Sequence, residues 1–350
     1  MNRRDFFNLG AALLLGAQLK LPEHSRPQKQ RNMTEPIIGH GDFRYKINLD
    51  WGKQDPAKYP VKDCHELVMD RVGRIYMTTN DTHNNILVFN KDGLILNAWG
   101  TEYPGAHGLT LADENGEEFL YITDYDRHEV IKTTLTGRVI RVFSFPADSG
   151  KYKDAAEFKP TETAIAPNGD VFIADGYGLD YVIQYDANGH LKNIFGGKGT
   201  EPGSLNNAHG IAIDHRNSAE PVLLVTSRAA NALNRYTMDG RFLDAIQLPG
   251  AYICRPVVKG DHVFFAVLIS HEPWDSQTGY ILILDKDNKV VSCPGGSLPH
   301  YAAGSTQPDP MYQTVKVFKH PHDVLADNDG NLYVSQWNAN QVYPARLERI

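Results

Sequence analysis

The chain of 350 residues is long enough for one large domain or two of ordinary size. Its hydrophobic content of 41% and charged content of 22% are typical of a folded globular protein and argue against a disordered chain. The net charge of −7 excludes functions that depend on a basic surface, so we expect no nucleic acid among its partners.

The first 35 residues differ in character from the rest. Arg3 and Arg4 precede Phe6 and Phe7 and then a short apolar run over residues 11–15. That run is too short to span a bilayer, which needs about 20 helical residues. We predict a signal peptide of the twin-arginine type and a linker over residues 1–35, and a periplasmic or secreted protein without a stable membrane span once the signal is removed.

A histidine, a strand, a turn and a second strand recur about every 40 to 50 residues, which is the period of a β-propeller blade. The repeats start at His65, His107, Thr161, His209, Arg255 and His322. With about four short strands per repeat, they predict an all-β, six-bladed propeller over residues 40–350. The strand predicted at residues 43–51 can complete the last blade, which otherwise ends after residues 341–350. This pairing would close the ring and remove its free edges.

The repeat starts are expected to form an inner ring around the channel mouth. His107, His209 and His322 fall on blades two, four and six, about 120° apart in a six-fold array. Three converging imidazoles with a position left open are typical of a catalytic zinc site, although other divalent metals also accept nitrogen ligands. His65 adds a further imidazole, for which we predict a catalytic role. The three cysteines show no metal-binding spacing and permit at most one disulfide.

A second, wider ring is expected where the second strand of each blade ends. Tyr177 lies there on blade three and Arg228 on blade four. We predict Tyr177 as a base whose phenol pKa is lowered by nearby positive charge, and Arg228 as a group that stabilises negative charge. The predicted substrate contacts are Arg255, His320, His271 and Tyr125.

The order of KPTETA, ADGYG, AHGIA and TSRAAN within residues 158–243 resembles the lyase domain of peptidylglycine alpha-amidating enzymes, among the NHL-repeat propellers. The resemblance continues in AHGLTL and PHDVLADNDGNLYV and covers most of residues 100–350. It implies zinc on His107, His209 and His322, with Tyr177 as base and Arg228 beside the substrate. The family carries methionine where this chain has His320, so the substrate is expected to differ.

The sequence therefore predicts an exported, metal-dependent carbon–oxygen lyase. Its substrate would be either a uronate-containing oligosaccharide, in a dehydratase reaction of carbohydrate degradation, or a peptidyl-hydroxyglycine. A structural calcium ion is a further expectation. One alternative is a propeller that binds a protein or small molecule without catalysis. Another is a lactone or ester hydrolase, which would normally hold calcium through Asp, Asn and Glu.

Overall fold

Six antiparallel sheets make up the fold in a computed structural model that describes residues 36–216 and 221–350. Five of the sheets have four strands and one has five. Within each sheet, strands that follow one another in the chain are neighbours, as hairpin connections require. The predicted all-β, six-bladed propeller is confirmed.

The blades are numbered in chain order from the sheet that follows residue 60. Blade one contains β3 (Cys64–Met69), β4 (Ile75–Thr79), β5 (Ile86–Phe89) and β6 (Ile95–Trp99). Blade two contains β7 (Ala106–Glu114), β8 (Glu117–Asp124), β9 (Glu129–Thr134) and β10 (Val139–Ser144). Blade three contains β11 (Glu162–Ile165), β12 (Val171–Ala174), β13 (Tyr181–Tyr185) and β14 (Leu191–Gly196).

The remaining blades follow the same plan. Blade four contains β15 (Ala208–Asp214), β16 (Val222–Ser227), β17 (Ala232–Thr237) and β18 (Phe242–Gln247). Blade five contains β19 (Val257–Lys259), β20 (His262–Val267), β21 (Tyr280–Leu284) and β22 (Val290–Ser292). Blade six contains β23 (Pro321–Ala326), β24 (Leu332–Gln336), β25 (Ala345–Arg349), β2 (Phe43–Asn48) and β1 (Ile38–His40). The helices described are three short 3₁₀ turns, Ala147–Ser149, Ala155–Glu157 and Arg228–Ala230.

Blade six joins the two ends of the propeller. β2 pairs antiparallel with β25, and Tyr45 lies opposite Arg349. This confirms that an N-terminal strand closes the ring. The structure adds a strand that the sequence did not predict: β1 pairs with β2 and becomes the outer edge of blade six.

The core lies between the blades, where the two faces of neighbouring sheets pack together. The middle strands are buried along their whole length, as in β4, β5, β12 and β21. The outermost strands, such as β10, show little alternation between buried and exposed residues and are mostly exposed. Burial therefore increases from the rim toward the axis, where the candidate site lies.

The predicted signal peptide and linker lie outside the described residues. Within the part of the chain that the structure does describe, no helix has the length and apolar character that crossing a bilayer requires.

Candidate metal centre and active site

A β-bulge sets the position of each histidine at the axis. In β3, β7, β15 and β23, the pairing with the next strand is interrupted immediately around His65, His107, His209 and His322. An extra residue in one strand bends it and redirects the side chain. The histidines therefore leave the alternation of their strands, which is why they look out of pattern in the sequence.

Threonines on the second strands support three of these bulges. The N–H that follows each of three histidines donates to a threonine hydroxyl: Glu66 to Thr78 at 3.0 Å, Gly108 to Thr123 at 2.6 Å, and Gly210 to Thr226 at 2.7 Å. The glycines are required by close approach to the next blade. A Cβ on Gly210 would lie 2.5 Å from the Cα of Arg255, and one on Gly108 would lie 2.5 Å from the Thr161 carbonyl oxygen.

The four imidazoles meet at the axis. The ring centroids of His107, His209 and His322 are 4.7 to 4.9 Å apart. His65 is 4.7 Å from both His107 and His322. The structure thus brings together the three predicted metal ligands and the fourth histidine that the sequence placed beside them.

Several nitrogens in this cluster have no hydrogen-bond partner among the described residues. His107 Nδ1 lies 2.8 Å from the Thr161 carbonyl oxygen and His322 Nδ1 lies 3.3 Å from that of His65, so both Nδ1 atoms carry the proton. His322 Nε2, His209 Nδ1 and both nitrogens of His65 are buried without a partner among the described residues. A buried polar atom without a partner is costly, and a bound cation would satisfy several of these atoms at once.

The geometry also fits a shared ion. His107 Nε2 and His209 Nε2 are 3.2 Å apart. Two nitrogens that each bind zinc at about 2.0 to 2.1 Å in a roughly tetrahedral arrangement are separated by about 3.3 Å. The residues present therefore fit a divalent metal.

Burial lowers the pKa of all four histidines. The pKa of His65 falls to about 4, while those of His107, His209 and His322 fall well below the ordinary value. In each case loss of hydration is the largest cause, and the Arg228 guanidinium acts in the same direction. The imidazoles are therefore neutral at pH 7, which is the form that binds metals.

This neutrality predicts a pH-dependent stability for the metal-free protein. Below pH about 6.5 His65 becomes protonated in the unfolded chain but not in the folded protein. The free energy of unfolding therefore falls as pH falls from about 6.5 toward 4. Buried carboxyls such as Glu66, whose pKa is raised, change the stability in the opposite direction as pH falls, so the wild type must be compared with a variant that lacks His65. Relative to His65→Asn, the wild type should lose about 1.4 kcal/mol of unfolding free energy per pH unit in this window. Urea unfolding with a chelator at pH 7, 6 and 5 tests this, and a pH-independent difference would refute it.

Five side chains form two overlapping groups of possible metal ligands. One group is His65, His107 and His322, and the other is His209, Cys254 and His322. Within each group, one ligand atom per residue lies within 4.8 Å of the others. His322 is common to both, whereas His107 and His209 fall in different groups. Cys254 was missed in the sequence because its partners come from other blades and not from a local spacing.

Tyr177 and Arg228 lie beside the histidines, as the sequence predicted. The phenol oxygen of Tyr177 is 3.1 Å from His107 Nε2, and Arg228 Nη2 donates to it at 3.4 Å. The predicted direction of the phenol pKa is not what the metal-free structure shows. Burial raises the pKa of Tyr177, and the guanidinium of Arg228 only partly offsets this.

Arg255 lies deeper than predicted. Its guanidinium is 2.6 Å from Asp323 and within 3.6 Å of Glu66 and Glu162. It also donates to the carbonyl oxygens of Leu67 and Leu109, both at 2.9 Å. Its donors are therefore directed at the protein and not at the mouth, which argues against the predicted substrate contact.

The other three predicted substrate contacts, Tyr125, His320 and His271, lie in different environments. Tyr125 lies 5.6 Å from Tyr177 between ring centroids, and burial raises its pKa to about 12. His320 is buried, and its two nitrogens face the Gln277 N–H and the Asn338 carbonyl, so it joins two loops. His271 is exposed, with Nδ1 facing the carbonyl of its neighbour Glu272.

An aromatic side of the site was not predicted from the sequence. The guanidinium carbon of Arg228 lies 5.2 Å from the Trp274 ring centroid and 5.8 Å from that of Tyr177. Trp274 is 37% exposed and packs against Tyr252 at 5.3 Å. Arg228 is therefore held between two aromatic rings, which restricts where its charge can be placed.

Comparison with known proteins supports an evolutionary relationship at low identity. No family model matches the chain. It is 27% identical over 190 residues to NHL repeat-containing protein 3 of Homo sapiens, covering 52% of each protein. It is 30% identical over 145 residues to a probable peptidyl-alpha-hydroxyglycine alpha-amidating lyase of Caenorhabditis elegans, covering 37% of this chain and 40% of that protein. The match to peptidyl-alpha-hydroxyglycine alpha-amidating lyase 1 of Drosophila melanogaster is 24% identical over 259 residues, 68% of this chain and 43% of the relative.

Two of the solved structures that resemble this one carry the names of enzymes. A streptogramin B lyase has a TM-score of 0.56 at 13% identity, covering 89% of this chain and 98% of its own. A gluconolactonase from Xanthomonas campestris has a TM-score of 0.59 at 11% identity, covering 91% and 95%. At these identities the likeness shows the fold alone. The chain spans about half the length of the first curated relatives it matches, 52% in each case. It is a six-bladed propeller with distant homologues among NHL repeat-containing proteins and peptidyl-alpha-hydroxyglycine alpha-amidating lyases.

Proposed function

We propose that this protein is a metal-dependent lyase whose active site is the histidine cluster beneath Tyr177 and Arg228. The observation that carries the proposal is a set of four buried, neutral imidazoles. Three of them have nitrogens without a partner among the described residues, and the fourth, His107, lies within hydrogen-bonding distance of the Tyr177 phenol. A binding surface has no need for such an arrangement. When bound, a zinc ion would supply a Lewis acid to polarise a substrate oxygen.

The chain's own residues would then position the substrate and move a proton. Tyr177 Oη is placed to accept a proton from a substrate group that lies above His107. Arg228 is close enough to stabilise the phenolate form of Tyr177 that would accept this proton, or a substrate carboxylate. His65, which has no partner for either nitrogen among the described residues, is a further candidate for proton transfer or for metal binding.

Two substrate classes share this chemistry. With a peptidyl-hydroxyglycine, loss of the hydroxyl proton is coupled to cleavage of the carbon–nitrogen bond, giving a peptide amide and glyoxylate. With a uronate-containing oligosaccharide, loss of the proton next to the carboxylate is coupled to cleavage of a carbon–oxygen bond, giving an unsaturated uronate and releasing water or the alcohol of the neighbouring sugar. The names of the homologous lyases favour the peptide as the first substrate to test.

The deciding experiment assays the zinc-loaded protein for glyoxylate from hydroxyglycine peptides and for conjugated alkene from uronate oligosaccharides. The same assays are repeated after chelation and after zinc is restored. Activity that disappears and returns with zinc would support the proposal. Full activity without metal would refute the metal dependence, and retained ligand binding without turnover would favour a binding propeller.

Tyr177→Phe tests the proton-transfer role. The variant keeps the ring between Tyr125 and Arg228 but loses the hydroxyl that faces His107. We expect unchanged metal content and a fall in kcat of about 10² or more. Tyr125→Phe, on the neighbouring ring, is the matched control and should retain most of its activity. Normal turnover in Tyr177→Phe would move the role to a histidine.

Export remains part of the proposal. We infer from Arg3, Arg4 and the short apolar run that the protein is carried to the periplasm or secreted by the twin-arginine route. Replacing both arginines with lysine should leave the protein in the cytoplasmic fraction. Unchanged export would indicate another route. The structural calcium ion also remains a prediction.

A further inference from the structure

Cys254 lies in the same buried pocket as the histidines. Its N–H donates to the Ala266 carbonyl at 2.9 Å, which fixes the residue against β20. Its Sγ is 3.9 Å from Arg228 Nη1 and 3.9 Å from the Pro321 carbonyl oxygen, and the side chain is fully buried. Both contacts are long for hydrogen bonds to sulfur, so neither explains why the thiol lies at the axis.

Two histidines close to this thiol each have a nitrogen available for a metal. His209 Nδ1 and His322 Nε2 are buried and have no partner among the described residues. Each of His209, Cys254 and His322 offers a ligand atom within 4.8 Å of the other two. Metal bonds of about 2.3 Å to sulfur and 2.1 Å to nitrogen require the sulfur and nitrogen atoms to be about 3.6 Å apart. A modest movement of the side chains would bring the three ligand atoms to that separation.

The two ligand groups are alternative positions for one ion. His322 Nδ1 faces the His65 carbonyl, which leaves only Nε2 to bind a metal. One lone pair serves one ion, so the nitrogen-only group and the sulfur-containing group cannot both be filled through His322. Arg228 lies on the thiol side and would compensate the negative charge of a thiolate.

We propose that Cys254 is a metal ligand and that cations which accept thiolate ligands, Co²⁺ and Cd²⁺ among them, take the position formed by His209, Cys254 and His322. On binding, a bond forms between Sγ and the cation, and the thiol proton leaves to water. Thiolate ligands favour soft ions such as Cd²⁺ or Cu⁺ over ions that prefer oxygen. This inference rests on the proposed metal centre, and it adds a ligand that the three-histidine arrangement lacks.

Titration of the metal-free full chain with Co²⁺ tests this directly. A cobalt ion held by the histidines gives visible ligand-field bands, whereas a cobalt–thiolate bond adds a charge-transfer band in the near ultraviolet. We expect both in the wild type. Cys254→Ser should keep the visible bands and lose the charge-transfer band, and its affinity for Cd²⁺ should fall by at least about tenfold.

The other cysteines provide matched controls. Cys293 is buried with Sγ 3.6 Å from Met311 Sδ, and Cys64 Sγ donates to the Val342 carbonyl at 3.3 Å. Cys293→Ser and Cys64→Ser should therefore retain both sets of bands. Visible bands without charge transfer in the wild type would overturn the role of Cys254 and leave the metal centre intact. Absence of both would overturn the metal centre as well. These wild-type spectra decide the matter even if Cys254→Ser does not fold.

Discussion

His322→Ala is expected to give a folded protein that holds no metal and has no turnover. His322 is the one residue shared by the two possible ligand groups, so its loss leaves neither group complete. The imidazole makes one long contact, 3.3 Å to the His65 carbonyl, and its Nε2 has no partner among the described residues. Removing it should therefore disturb the fold far less than the metal affinity, which we expect to fall by more than about 100-fold.

Elemental analysis of the purified variant, beside thermal melting, measures both effects. His271→Ala is the control, because His271 is an exposed histidine of blade five that belongs to neither group. It should keep the wild-type metal content. If His322→Ala retained about one equivalent of metal, the ligand assignment would be wrong.

Arg255→Met is expected to produce the largest loss of stability. The guanidinium is the cation nearest to three buried carboxylates, those of Asp323, Glu66 and Glu162. Even with Arg255 in place, burial raises the pKa of Glu66 and of Asp323. Without it, these groups must stay protonated or remain buried and uncompensated, and removing one partner of a buried ion pair costs about 3 to 5 kcal/mol.

Urea unfolding measures this change. Arg235→Met is the control, because the Arg235–Asp244 pair is partly exposed on the two outer strands of blade four. It should alter the unfolding free energy by less than about 1 kcal/mol. Arg255→Lys should fall between the two, since it keeps a positive charge but not the fork of donors that reaches Leu67 and Leu109. An unchanged unfolding midpoint in Arg255→Met would mean that the carboxylates find compensation elsewhere.

Repetition made the fold and the histidine cluster predictable. A strand, a turn and a strand recurring after each histidine define the blade, and the histidines on alternate blades can meet only at the axis. The same reasoning failed for Arg255 because blade five departs from the repeat. β19 begins at Val257, two residues after Arg255, and pairs with β20 without the bulge that surrounds each histidine. Arg255 therefore does not take the position that each histidine takes beside its strand. Its guanidinium lies deeper in the channel, among the buried carboxylates.

Contacts between distant loops could not be predicted from the repeat. Cys254 is a possible metal ligand only because it lies close to His209 and His322, which belong to blades four and six. His320 resembles a ring histidine in sequence, but the loop after β20 covers it and Gln277 donates to it. β1 was not predicted because a three-residue strand carries too little alternation to be recognised. Local pattern therefore predicts the blades, while the identity of the groups at the centre depends on packing between them.

The layer around Arg255 also affects how molecules can reach the candidate metal centre. The cavity beyond it has a volume of about 420 Å³ and is lined by Arg255 and the ends of the innermost strands, but by none of the four clustered histidines. The guanidinium and the three carboxylates around it therefore separate this cavity from the histidine cluster. For the proposed lyase, substrate and product would therefore both reach the cluster from the Tyr177 side. A product bound there would exclude the next substrate, so we expect product inhibition to be competitive.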